Sequence, residues 1–110
     1  MTLARLLMEH PFADAVPLLH TVDRTVLAGE ARAAAEQIAR ELGDMTGQGV
    51  AVQLPNGPEL VSTMVGIWLA GGVHIPVNPK LPAAEVEAVL DSTGPAVLMT
   101  ETARTNLPNP

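Results

Sequence analysis

The stretch from Val50 to Pro79, VAVQLPNGPELVSTMVGIWLAGGVHIPVNP, leaves few choices to the chain that contains it. It reads as strand, turn, apolar helix, Gly-Gly, strand and an Asn-Pro exit. A strand, a helix long enough to cross over and a second strand form a parallel βαβ unit. Val50 to Leu54 is almost wholly apolar rather than alternating, as in a strand covered on both faces. Asn56 or Gly57 is placed to cap the helix, and Pro58 fits its first turn, where a missing N–H costs least. Glu59 lies where the helix dipole favours a negative charge, and Gly71-Gly72 stop the helix.

Two sharper readings of this stretch fail on its own residues. Leu60 to Val77 holds no Lys, Arg, Asp or Glu and approaches the length of a membrane span. Gly71, Gly72, His74 and Pro76 fall inside it, however, and no membrane span is expected. Open parallel sheets bind ligands beyond their strand C-termini, which here means the loop Leu54-Pro55-Asn56-Gly57-Pro58. Its two prolines offer no N–H to a phosphate and it has one glycine, so it is not a phosphate cradle. A buried structural βαβ core is the reading the physics favours.

The flanking sequence extends that core. Thr2 to His10 suits a short helix with Leu3, Leu6 and Leu7 on one face. Val16 to His20 and Thr25 to Leu27 flank Asp23-Arg24 in the pattern of a β-hairpin. Ala28 to Leu42 is the clearest helix, with Ala31, Ala35, Ile38 and Leu42 at helical spacing and Gly43 at its end. A further helix opens at Leu81-Pro82, with Val86, Val89 and Leu90 inward, and closes at Gly94-Pro95. Ala96 to Met99 supplies the third strand, and the polar tail from Thr100 to Pro110 is expected to fray.

The expected architecture is α/β: a small three-layer βαβαβ parallel sheet with flanking helices, preceded by a hairpin. Pro76 cannot donate to a ladder and belongs on an edge strand, so the order should be second strand, first, third. The 110 residues make one domain, 1–110, and aromatics are only 2%, so aliphatic side chains must build its core. A net charge of −6 speaks against nucleic acid and anionic membranes as partners. The absence of cysteine removes disulfides, thiolate catalysis and Cys-based zinc sites. MTLARLLMEHPF lacks the apolar run and cleavage site of a signal peptide, which makes cytoplasmic location the default.

Candidate chemistry is sparse. His10, His20 and His74 share no ligand spacing, and His74, between Val73 and Ile75, reads as a hydrogen-bonded structural histidine. Glu85 and Glu87 are two apart on a helix, so they do not face one another. Ser62 and Thr63 sit in the apolar helix without a neighbouring base, and bonding back to the helix backbone is expected. Met8, Met45, Met64 and Met99 read as core fillers. No catalytic and no metal-binding residue emerges.

Trp68-Leu69-Ala70-Gly71-Gly72-Val73-His74-Ile75-Pro76-Val77-Asn78-Pro79, following Leu54-Pro55-Asn56, resembles the N-terminal part of the AMP-binding acyl-CoA synthetase family. That superfamily includes luciferases and the adenylation domains of peptide synthetases. The likeness spans roughly Ala15 to Thr100 and departs from the family pattern at Leu69 and at Leu27-Ala28. The peptide-synthetase branch usually carries Asp where this chain has Asn78. Asn78-Pro79 with Lys80-Leu81-Pro82 therefore points to an acyl-CoA ligase, with fatty acids as the expected substrates.

The resemblance implies two half-reactions in the full-length enzyme. ATP and a carboxylate give acyl-adenylate and pyrophosphate, and the thiol of coenzyme A then displaces AMP. ATP, magnesium and coenzyme A are thus implied for the family. Its Ser/Thr/Gly-rich phosphate loop, Thr-Glu segment, ribose-binding Asp and C-terminal Lys have no counterparts here, so no catalytic residue is carried over. Met1 and the finish at Pro110 are expected to delimit a truncated piece, inactive alone. Its expected partners are the remaining domains of a parent ligase or a second copy, met through the apolar 58–70 helix. The alternative is a stand-alone binding or oligomerisation module on the same scaffold.

Overall fold

The computed structural model describes residues 5–9 and 13–107. A short helix α1 (Arg5–Met8) leads to a hairpin of β1 (Pro17–His20) and β2 (Thr25–Leu27). Then follow α2 (Ala28–Leu42), β3 (Gly49–Gln53), α3 (Pro58–Leu69), β4 (Val73–Pro76), α4 (Ala83–Thr93), β5 (Val97–Thr100) and β6 (Arg104–Asn106). Much of the helix expected over Thr2 to His10, with Leu3 and His10, lies outside the described residues.

The main sheet has the order β4-β3-β5-β6. The expected core order holds: β3 pairs in parallel with β4 on one side and β5 on the other. Val50, Ala51 and Val52 of the central strand are at most 1% exposed, which explains their unbroken apolar run. The chain leaves β3 for β4 in one direction and returns past it to β5. Right-handed crossovers then require the two connecting helices on opposite faces, and they are so placed. Ile67 of α3 packs with Val50, Val52, Val97 and Met99, whereas Val86 of α4 packs with Ala51 and Val77.

Two expectations need correction. The sheet is mixed, because Arg104–Asn106 folds back as an antiparallel strand on β5 where a frayed tail was expected. The turn is closed by the Thr100 N–H donating to the Ala103 carbonyl, and the Arg104 guanidinium donates to Glu41 of α2 at 2.8 Å. Residues 108–110 lie outside the described part. The second correction concerns α3, which was expected to leave a broad apolar face uncovered. Ser62, Thr63, Val65, Gly66 and Ile67 are buried, and Leu69 is its one large hydrophobic left exposed, at 39%.

Close approach by α2 provides that cover. Ala28, Ala31 and Ala35 are fully buried, and a Cβ on Gly66 would come within 2.9 Å of the Ala35 carbonyl oxygen. Small residues on both helices let the backbones come together. The Leu27 amide, at the start of α2, donates to Glu30 Oε1 at 2.9 Å, which satisfies one otherwise orphaned donor. Gly71, at φ +84°, turns the chain out of α3 in a conformation a side chain would resist.

Candidate functional site

The C-terminal ends of β3, β4 and β5 converge on one rim, and two open clefts lie there. One, of about 450 Å³, is lined by Leu54, Pro55, Asn56, Glu59, Thr63, Met99, Thr100 and Glu101. It lies between the exits of β3 and β5, where the chain from β3 turns to one side and β5 was reached from the other. That is the position at which open α/β sheets form ligand crevices. The second cleft, of about 540 Å³, lies between the exits of β3 and β4 and is lined by Pro55, Asn56, Asn78, Pro79 and Lys80.

The loops around these clefts are held by local bonds. Asn78 Oδ1 accepts from the Lys80 amide at 2.9 Å, an Asx-type turn, and the Asn78 carbonyl accepts from Gln53 Nε2 at 3.2 Å. Thr100 Oγ1 accepts from the Ala103 amide at 3.2 Å. Glu59, in the first turn of α3, is paired with Arg24 of the hairpin. The remaining arginines behave alike: Arg5, Arg32, Arg40 and Arg104 each meet a carboxylate. Lys80, the one lysine of the chain, meets none among the described residues. Both cleft linings join residues far apart in sequence; the Leu54-Pro55-Asn56 and Asn78-Pro79-Lys80 stretches were singled out from the sequence, and Thr100-Glu101 was not.

A triphosphate does not fit this rim. Gly57 stands at the cap of α3 with extended backbone and Pro58 follows it, so the helix N-terminus lacks the run of amides that cradles phosphate. No group of three or more His, Asp or Glu residues is placed to hold a metal ion among the described residues.

The residues flagged from the sequence are dispersed. His20 is exposed on β1, with Nδ1 3.3 Å from Thr25 Oγ1. His74 sits on β4, and its Nε2 is buried with no hydrogen-bond partner among the described residues, contrary to the bonded histidine expected. Burial holds its pKa below the usual 6.5. Ser62 and Thr63 are 5% and 3% exposed but make none of the expected back-bonds to the helix among the described residues. They border instead a cleft shared with Arg24, Glu30 and Ile38. Glu85 and Glu87 are exposed on α4. His10 lies outside the described residues.

Residues 11–109 match the family model described as AMP-binding enzyme. The chain belongs to that family. Pyochelin synthetase PchE of Pseudomonas aeruginosa is 35% identical over 96 residues, covering 84% of this chain and 6% of PchE. The probable non-canonical nonribosomal peptide synthetase CymA of Salinispora arenicola is 44% identical over 52 residues, 47% of this chain and 1% of CymA. This chain of the AMP-binding family therefore spans a small fraction of the curated relatives it matches.

Solved structures show the same fold. The N-terminal domain of FACL13 from Mycobacterium tuberculosis superposes with a TM-score of 0.78 at 24% identity, over 90% of this chain and 26% of that one. The N-terminal subdomain of NpsA from Klebsiella oxytoca gives 0.79 at 24% identity, over 91% and 27%. No helix among the described residues is long and apolar enough to cross a membrane.

Proposed function

We propose that this chain is an N-terminal segment of an acid-activating enzyme, which joins a carboxylic acid to AMP with release of pyrophosphate. The observation that carries the reading is the family match over residues 11–109, on a fold shared with N-terminal subdomains of such enzymes. The segment's part is structural: it supplies four strands and the crossover helices, while ATP, magnesium and the acid are held by the rest of the enzyme. Its partner is therefore the remainder of the parent. Self-association through α3 would use Leu69, its one exposed large hydrophobic, and the partly covered Leu60, Val61, Met64 and Trp68. A cytoplasmic location for the parent is part of the same proposal; no helix among the described residues is long and apolar enough to cross a membrane.

For the second half-reaction we favour coenzyme A as acceptor, on the strength of Asn78-Pro79, and put forward a fatty acid as the substrate, which that motif does not itself specify. The competing acceptor is the carrier-protein thiol of a peptide synthetase. It is favoured by the relatives, among them PchE and the dimodular nonribosomal peptide synthase of Bacillus subtilis. One experiment addresses both levels. The protein expressed from its whole gene should exchange labelled pyrophosphate into ATP only when an acid is present, and should then release AMP on addition of coenzyme A. Exchange without release by coenzyme A, but with release by a carrier protein, selects the second acceptor. No exchange with any of a panel of fatty, aryl and amino acids overturns the reading. The 110 residues alone should give no exchange, because they hold no phosphate loop.

A further inference from the structure

Two hydroxyls inside α3 depart from the usual behaviour of their kind. Ser and Thr in a helix ordinarily donate back to a carbonyl three or four residues earlier. Ser92 and Thr93 of α4 do so, both reaching the Val89 carbonyl, at 3.1 and 2.7 Å. Ser62 and Thr63 are only 5% and 3% exposed, yet neither hydroxyl has a hydrogen-bond partner among the described residues. Both line the cleft of about 290 Å³ between the hairpin, α2 and α3. A hydroxyl so deeply placed costs stability unless something bonds to it, so this cleft calls for an occupant that forms hydrogen bonds.

The other polar groups of the cleft decide its chemistry. Glu59 accepts through Oε1 from Arg24, and Glu30 accepts through Oε1 from the Leu27 amide. The second oxygen of each carboxylate has no partner among the described residues. Two carboxylates stand against one guanidinium, so the cleft is negative, in a protein of net charge −6. An ammonium group brings three donors and no acceptor, and it cancels the surplus charge. Val26, Ile38 and Pro58 form an apolar wall along which an alkyl stem can lie. We propose that this cleft binds a small primary amine as its alkylammonium ion, held by Ser62, Thr63 and the unbonded oxygens of Glu30 and Glu59. A free amino acid is disfavoured, because its own carboxylate is repelled by the same charge. The site adjoins the rim cleft between β3 and β5, which shares Glu59 and Thr63 with it.

Calorimetric titration of n-butylammonium chloride into the protein expressed from its whole gene, without ATP, tests this. Saturable binding is expected with a Kd on the order of 1–10 mM, the range open to so small a ligand. n-Butanol has the same shape without the charge and should bind on the order of tenfold more weakly. The double change Ser62→Ala with Thr63→Val should weaken the amine on the order of tenfold, the worth of a hydrogen bond to a charged group. Glu30→Gln should do the same; its amide oxygen still accepts from the Leu27 amide, so α2 keeps its cap and the test survives a double variant that fails to fold. No saturable binding would leave the cleft to water and overturn the proposal. Equal binding of n-butanol overturns it too, as does unchanged affinity in either folded variant, which puts the amine elsewhere on the acidic surface. None of these readouts uses turnover, so they stand apart from the acid-activation reading.

Discussion

On one side of the sheet, Val50, Val52, Val97 and Met99 meet Ile67 and Met45, and α2 lies behind α3 to complete the layer. On the other side, Ala51 and Val77 meet a helix whose single buried residue is Val86. Both faces belong to the same strands, so the difference comes from the helices. α3 is apolar enough to need cover on two sides and obtains it from the alanine face of α2. α4 carries Glu85, Glu87 and Asp91 on its exposed surface and needs one contact row. The first layer is completed within this chain; the second is thin.

The largest expected effect separates the two layers directly. Ile67→Ala should cost about 2–5 kcal/mol, because Ile67 is fully buried between α2 and the sheet. Val86→Ala removes two methyl groups at a 9% exposed position and should cost about 1–2 kcal/mol. Urea unfolding followed by Trp68, the sole tryptophan, measures both. Equal losses would mean that the two layers contribute alike.

A subtler contrast sets packing against propensity. At an exposed helix position, Gly to Ala gains about 1 kcal/mol. Gly66→Ala should instead lose about 1–3 kcal/mol, because its Cβ would lie 2.7 Å from Ile38 Cγ2 and 2.9 Å from the Ala35 carbonyl. On α4, the exposed Ala88→Gly should follow propensity alone and lose about 1 kcal/mol. A stabilised Gly66→Ala protein would show that the α2–α3 contact is looser than drawn.

The contrast also explains what could be read from the sequence. The central strand, the 28–42 helix and the strand order follow from local patterns: an unbroken apolar run, helical spacing and a proline that must sit at an edge. The cover on α3 was missed because it depends on small residues, Ala31, Ala35 and Gly66, whose role appears only when two helices meet. β6 was missed because Arg-Thr-Asn carries no apolar alternation, and its order comes from pairing with β5 and from Glu41, 63 residues away. The rim clefts join Leu54–Asn56 to Thr100–Glu101 and to Asn78–Lys80, a juxtaposition made by the parallel sheet. The Leu54–Pro58 loop could be marked from the sequence as the ligand end of a parallel sheet, but not the residues that join it there.

The smallest expected effect concerns the one defect in the thicker layer. His74 pairs in register with Val50, whose side chain faces α2 and α3, so the imidazole lies on that side at the edge of the sheet. Its Nε2 is buried without a partner among the described residues, and burial lowers its pKa from 6.5. The folded state therefore prefers the neutral ring, and the unfolded chain takes up the proton first. Stability from this group is complete above the unfolded value and is lost as pH falls through the folded value. The ring is only half-buried, so solvent screening keeps the effect below that of either packing change. An NMR titration should place the His74 midpoint below 6.5. His74→Leu should flatten the fall in urea midpoint from that pH downward. A midpoint at or above the ordinary value would mean that the nitrogen has found a partner, and that the thicker layer is complete even at its edge.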